Sequence, residues 1–332
     1  MIITRTPFRI SFFGGGTDYP VWYREHGGAV LSTTINKYCY INCRFLPPFF
    51  TYKYLMRYII REETTSIEDI KHPSVRACLT YLNIPKGVEM TYTGDIPAQS
   101  GMGSSSSFTV GFLNALYSLS GKMVTKRTLA REALYIEQQV LAENVGAQDQ
   151  VAAAFGGLNK IEFGGERDFY VTPLPLSREK VDYLQSHLML FFTGVSRNAS
   201  EIAGEQIKNT NSKKIELRTM QVMVDEAISI LNNGSKDLDD FGKLLNESWR
   251  IKRSLTDRIT SGRIDAIYET ALKSGAIGGK LLGAGGGGFI LFFVKPDHQP
   301  LLKEKLKDIL YVPFGFDALG TQVVMYSTQD FY

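Results

Sequence analysis

The stretch Pro97-Ala-Gln-Ser-Gly-Met-Gly-Ser-Ser-Ser-Ser107 organises the chain on either side of it. A proline turn leads into small residues and four consecutive hydroxyls, after which Phe108, Phe112, Leu116 and Leu119 recur at helical spacing. The serines therefore stand at the mouth of a helix, where unpaired backbone N–H groups and the positive end of the helix dipole hold an anion. Gly101 and Gly103 let the backbone close around phosphate oxygens. The hydroxyls can donate to a phosphate or coordinate Mg²⁺. An ordinary serine-capped helix needs less than this. We read Pro97, Ser100, Gly101, Met102, Gly103, Ser104, Ser105, Ser106 and Ser107 as a phosphate cradle.

At 332 residues the chain can bury a large core and is expected to divide in two. A net charge of +3, with no sustained basic run, argues against a nucleic-acid partner. Three cysteines, Cys39, Cys43 and Cys78, lack metal spacing and point to a reducing compartment. No apolar run reaches membrane-spanning length and the N-terminus has no signal-peptide core, so a cytoplasmic protein without a membrane partner is expected.

Taken in order, Met1 to Ser11 reads as a strand that enters Phe12-Phe13-Gly14-Gly15-Gly16-Thr17-Asp18-Tyr19. Asp18 is either a turn former or a carboxylate presented to a ligand. Arg9, inside that apolar strand, needs an anionic partner, which is either a structural carboxylate or a substrate. Residues 28–46 look like two or three strands. Residues 47–63 look like an exposed strand pair or a substrate-side loop, and 66–82 like a helix. A second helix over roughly 125–143 carries the stripe Leu129, Ala133, Ile136 and Val140, with Glu137 close to it. Asp149, between amides and before Ala-rich sequence, suits a buried carboxylate or a helix cap. A division is expected between 160 and 180, and a third glycine-rich element runs from Lys280 to Gly288.

Gly283-Ala-Gly-Gly-Gly-Gly288 matches G-x-G-x-x-G, but it is read as following a helix and preceding a strand, the reverse of the dinucleotide-binding order. No P-loop, protein-kinase set or nucleophile elbow is present. What remains is three glycine-rich elements, an arginine, two or three carboxylates and hydroxyls at a helix mouth. Those are the parts of phosphoryl transfer.

Together these motifs resemble the GHMP kinases, the superfamily of galactokinase, homoserine kinase, mevalonate kinase and phosphomevalonate kinase. The matching stretches are Pro7 to Asp18, the serine stretch and Lys280 to Gly288, in order along nearly the whole chain. The resemblance implies an α+β protein of two domains. An N-terminal ribosomal-protein-S5-like domain (1–170) would carry the phosphate loop and catalytic Asp, and a ferredoxin-like C-terminal domain (171–332) the third motif. It further implies ATP and Mg²⁺ as cofactors, with Ser105 and Glu137 on the metal. Asp149 would be the catalytic base and Arg9 the cation near the acceptor oxygen. Gly15, Gly16, Thr17, Asp18, Gly285 and Gly286 would lie around the substrate.

Where galactokinases have Gly-Glu-His-Thr-Asp-Tyr, this chain has Gly14-Gly-Gly-Thr-Asp-Tyr19. Two polar groups that would read hexose hydroxyls are missing, which disfavours galactose. This form, with Glu143-Asn-Val-Gly-Ala-Gln-Asp-Gln150, is most similar to the D-glycero-D-manno-heptose 7-phosphate kinases. Those enzymes phosphorylate the anomeric hydroxyl in nucleotide-heptose synthesis for capsule or lipopolysaccharide. The expected partners are a small-molecule sugar phosphate and ATP, for a monomer or homodimer. A fucokinase-type enzyme and a non-catalytic sugar sensor are the alternatives. A 7-phosphate calls for a second anion site, for which Arg197, Arg250, Lys252 and Arg253 are candidates, with Thr193 and Ser196 as hydroxyl donors. A solvated basic helix face is the other reading of Lys252 and Arg253. Arg197 stands out because it follows a strand end and Gly194.

Overall fold

The computed structural model describes residues 1–165, 168–194, 199–233 and 237–327. The N-terminal sheet is built from β1 (Ile2–Phe13), β2 (Gly28–Phe45), β3 (Tyr54–Arg57), β4 (Arg61–Thr64), β5 (Val88–Gly94), β6 (Asn159–Phe163) and β7 (Phe169–Pro173). A second, four-stranded sheet contains β8 (Leu188–Phe192), β9 (Ala276–Leu281), β10 (Phe289–Val294) and β11 (Leu310–Tyr311), in the order β11-β8-β10-β9. The chain then returns: β12 (Phe316–Asp317) pairs with β2, and β13 (Gln322–Tyr326) pairs with β1. The first sheet therefore has the order β13-β1-β2-β5-β3-β4, with β6 and β7 branching from β2.

The helices are α1 (Pro20–His26), α2 (Pro73–Tyr81), α3 (Ser104–Leu119), α4 (Lys126–Tyr135), α5 (Gln148–Phe155), α6 (Arg178–Ser186), α7 (Ala199–Asn209), α8 (Lys214–Asn232), α9 (Asp239–Arg253), α10 (Gly262–Lys273) and α11 (Gln299–Lys305). Phe8, Ile10, Phe12 and Phe13 of β1 are fully buried and share one core with Phe112, Leu113 and Leu116 of α3. A second core gathers Met189, Trp249, Tyr268 and Phe292 around the smaller sheet. Among the described residues no helix is long and apolar enough to cross a membrane.

The region 28–46 is one strand, not two or three. β2 pairs with β1 along its length, exchanging β6 on its other side for β5 as it proceeds. Residues 47–63 do form a strand pair, β3 with β4, at the end of the first sheet. The helix expected over 66–82 begins only at Pro73, because the residue before a proline is pushed out of helical backbone. The third glycine loop follows a strand, β9, rather than a helix, and links it to its antiparallel neighbour β10.

Candidate active site

Arg9 lies in the buried part of β1 and is only 4% exposed. Its Nε and Nη2 donate to the two carboxylate oxygens of Asp149 at 2.7 and 2.9 Å, a bidentate fork. Its Nη1 donates to the Gly101 carbonyl at 2.7 Å. One side chain thus binds the first strand, the serine loop and the start of α5. The anionic partner that Arg9 requires is Asp149, and Asp149 does not cap α5. Its side chain is 24% exposed and faces the cleft.

Asp18 is 2% exposed and accepts the Gly16 N–H at 2.9 Å and the Gln148 N–H at 3.4 Å. It holds the turn and lines the cleft at once, so its two alternatives coexist. Burial, with a further contribution from the Asp149 charge, raises its pKa above the ordinary carboxylate value. Gly15 and Gly16 also line the cleft. Thr17 does not: it is buried, with its hydroxyl against the carbonyls of Gly14 and Ala29.

The serine loop delivers α3 with Gly103 at its N-cap in left-handed backbone and with no side-chain cap. The first-turn N–H groups have no intrahelical partners, and Gly101, Gly103, Ser104, Ser105 and Ser106 line the cleft there. The other predicted cradle residues lie behind it. Pro97 is outside the lining and receives a hydrogen bond from the Ser100 hydroxyl at 2.7 Å. Met102 is wholly in the core, and Ser107 donates to the Pro7 carbonyl at 3.0 Å. Gln99, which sequence reading did not single out, lines the cleft with them.

Glu137 comes inward through a break in helical phase. After α4 the chain makes a π turn over Ile136–Val140, with the Leu141 N–H bonded five residues back to Ile136. The wider turn rotates the residues beyond it about the helix axis, so the expected stripe member Val140 is exposed while Glu137 is fully buried. One Glu137 oxygen accepts from Ser106 at 2.8 Å and Gln150 at 2.5 Å; the other has no partner. Burial lifts its pKa to about 7. A buried carboxylate oxygen without a donor, beside a cleft-lining serine, fits a cation. The contacting serine is Ser106; Ser105 is exposed at the cleft surface. Among the described residues there is no cluster of three or more His, Cys, Asp or Glu side chains that could hold a metal ion. A divalent ion here would therefore draw other ligands from phosphates and water.

The third glycine loop packs against the second. A Cβ on Gly283 would lie 2.5 Å from the Gly101 Cα, and one on Gly288 would lie 2.1 Å from the Ser100 carbonyl oxygen. Gly283 and Ala284 line the cleft, whereas Gly285 and Gly286 face away, the Gly286 N–H bonding to the Ile259 carbonyl at 2.8 Å.

Together these elements enclose a cleft of about 360 Å³. Ser11 and Gln148 line it with a hydroxyl oxygen and an amide oxygen that have no partner. Neither was marked by the sequence; Ser11 lies two residues after Arg9 and Gln148 one before Asp149. Of the candidates for a second anion site, Lys252 is buried and lines the cleft. Arg253 pairs with Asp265 at 2.9 Å, and Arg250 is exposed. Thr193 is buried on the Gly288 carbonyl. Arg197 and Ser196 lie outside the described residues. Lys280, unmarked as a ligand-facing group by the sequence, also lines the cleft.

The models of the GHMP kinases N terminal domain and of the GHMP kinases C terminal domain match residues 70–157 and 226–312. A D-glycero-alpha-D-manno-heptose 7-phosphate kinase of Campylobacter jejuni is 30% identical over 97% of this chain and 98% of its own length. A solved D-glycero-D-manno-heptose 1-phosphate kinase of Bacteroides thetaiotaomicron superposes with a TM-score of 0.80 at 25% identity, covering 98% of this chain and 100% of that one. A bifunctional fucokinase/GDP-fucose pyrophosphorylase of Arabidopsis thaliana is 25% identical over 91% of this chain, which spans 31% of that protein.

Proposed function

The chain belongs to the GHMP kinases, sugar-hydroxyl phosphotransferases with ATP as donor, and from that premise we propose that it phosphorylates the anomeric hydroxyl of D-glycero-D-manno-heptose 7-phosphate. The product would be the 1,7-bisphosphate, feeding nucleotide-heptose synthesis for capsule or lipopolysaccharide. The observation that carries the reading is the Arg9–Asp149 fork facing a cleft that also holds an uncapped helix mouth. Full-length similarity to a heptose 7-phosphate kinase supplies the substrate class.

In this reading the N–H groups and hydroxyls of Ser104, Ser105 and Ser106 bind the donor's phosphates at the α3 mouth. Asp149 accepts a hydrogen bond from the acceptor hydroxyl and orients it, receiving its proton as the O–P bond forms. Both its oxygens carry a guanidinium N–H, which leaves each a lone pair for the hydroxyl. Arg9 stabilises charge near the reacting oxygens. Asp18, Ser11 and Gln148 read sugar hydroxyls. Glu137, with Ser105 or Ser106, would hold Mg²⁺, which supplies charge neutralisation at the phosphates. The phosphate loop and Asp149 belong, on this proposal, to an N-terminal unit ending near residue 170, and the third loop to the remainder.

The test is ADP release from ATP and Mg²⁺ with heptose 7-phosphate, fucose, galactose and mevalonate as acceptors. Turnover on the heptose phosphate alone is the expected result. The fucokinase relatives make turnover on fucose the second reading, which keeps the catalytic roles and removes the sugar phosphate. Sugar-dependent thermal stabilisation without ADP release would mark a sensor and overturn both.

A further inference from the structure

Two buried ammonium groups take no part in the roles assigned so far. Lys252, in the last turn of α9, is 5% exposed, and Lys280, near the end of β9, is 2% exposed; both line the cleft. Among the described residues neither has a carboxylate within ion-pair distance. Lys252 Nζ donates to the Gly283 carbonyl and, at 3.5 Å, to that of Leu281. Lys280 Nζ donates to the Phe12 carbonyl at 2.7 Å. An ammonium has three N–H donors. One on Lys252 and two on Lys280 thus have no acceptor among the described residues.

Such an arrangement is unfavourable until an anion enters. Burial lowers the pKa of both groups, that of Lys252 to about 8 with Arg9 adding to the effect, and that of Lys280 with Lys252 and Arg9 adding. Asp18 and Asp149 oppose the shift of Lys252, but Asp149 is already held by the Arg9 fork. The wall therefore carries three cations, Arg9, Lys252 and Lys280, against those two carboxylates.

We propose that Lys252 and Lys280 form the receptor for a phosphate monoester already carried by the acceptor sugar, separate from the serine mouth that takes the donor's phosphates. The placement favours the acceptor. Lys280 is anchored on the Phe12 carbonyl, in the strand that carries Arg9 and Ser11 and leads to Gly15, Gly16 and Asp18. The transferred phosphoryl group is the other source of the same dianion, because the Lys252 anchor, Gly283, packs on Gly101. The inference rests on the acceptor being a sugar phosphate.

Lys252→Met and Lys280→Met keep the aliphatic stem and remove the charge. Each is measured for kcat/KM on heptose 7-phosphate and on the unphosphorylated heptose, with KM for ATP alongside. The ratio of the two acceptors does not depend on the fraction of protein that is folded. Should Lys280→Met not fold, Lys252→Met carries the test. The expected result is a fall in that ratio of about tenfold or more, as for loss of a hydrogen bond to a charged group, through KM for the sugar phosphate. KM for ATP should stay within about twofold. A ratio unchanged while kcat falls on both acceptors would assign the lysines to the transferred group and overturn the proposal. Wild-type enzyme without preference for the phosphorylated sugar would instead overturn the proposed function. Wild-type preference retained in both variants would overturn the lysine receptor alone.

Discussion

The loop from Gly101 to Ser107 and the loop from Gly283 to Gly288 share a glycine-rich composition and lie against each other, but they face different neighbours. The first turns three serines and two glycines into the cleft, while the second places Gly285 and Gly286 on the Ile259 backbone and Gly288 on the Ser100 carbonyl. In one loop the missing Cβ atoms make room for a ligand; in the other they make room for protein backbone. The second loop is the buttress of the first: the Phe289 N–H bonds to the Ser100 carbonyl at 3.2 Å, and Gly283 presses on Gly101. A glycine-rich motif therefore signals close approach without saying what approaches.

The harshest way to break this pairing is Gly288→Ala. Its φ is +94°, and the new Cβ would lie 2.1 Å from a carbonyl oxygen, with backbone on both sides and no flexible side chain to yield. We expect at least ~4 kcal/mol of destabilisation, or failure to fold. Equilibrium denaturation gives the value, and a loss under ~1 kcal/mol would refute the buttress.

Beneath the serine mouth, Glu137 offers the next largest effect. Its folded pKa of about 7 stands above the reference 4.5 because burial outweighs the hydrogen bonds from Thr109, Ser106 and Gln150, with Glu143 adding repulsion. A raised folded value means that this contribution is fully present below pH 4.5 and is lost as pH climbs through about 7. The full loss is of the order of ~3 kcal/mol. Urea denaturation between pH 5 and 8 should show that slope in the wild type and its loss in Glu137→Gln. Mg²⁺ at pH 8 should recover part of the stability in the wild type only. Parallel profiles for the two proteins would remove Glu137 from the account.

Asp149→Asn tests whether the ligand-facing loop depends on a side chain outside it. The amide keeps the volume but turns a donor toward Arg9 and cannot take a proton. We expect kcat to fall by about 10² or more, with KM for ATP little changed. Steady-state kinetics in which KM for ATP rises and kcat holds would place Asp149 in nucleotide binding.

How much of this is legible in the sequence depends on whether period or partner decides the feature. The helix after the serines shows its period through Phe108, Phe112 and Leu116, and α3 forms there. β2 reads as several strands because its burial changes from unbroken to mixed near Asn36. The cause is a change of neighbours along one strand, which no local pattern records. The π turn hides Glu137 in the same way, since adding a residue to one turn exchanges the exposed and buried faces. Lys252 is the avoidable miss. It lies on the stripe of Phe241, Leu245 and Trp249, all fully buried, so its spacing already places it inside.

The smallest predicted effect is also the sharpest test of the two-loop distinction. Gly103→Ala places a Cβ 3.2 Å from the Asp149 carboxylate at a φ of +75°. Strain in that backbone region is worth about 1–2 kcal/mol, and the carboxylate can yield by a few tenths of an ångström. Folding should survive, while kcat falls by about tenfold as the Arg9–Asp149 fork shifts. Gly121→Ala is the matched control, because Gly121 has a similar φ of +67° and nothing within 4 Å of the added Cβ. The two variants should lose similar stability in thermal denaturation, and only Gly103→Ala should lose rate. Equal kcat values in the pair would mean that the glycine at the helix mouth serves backbone geometry alone, as in the third loop.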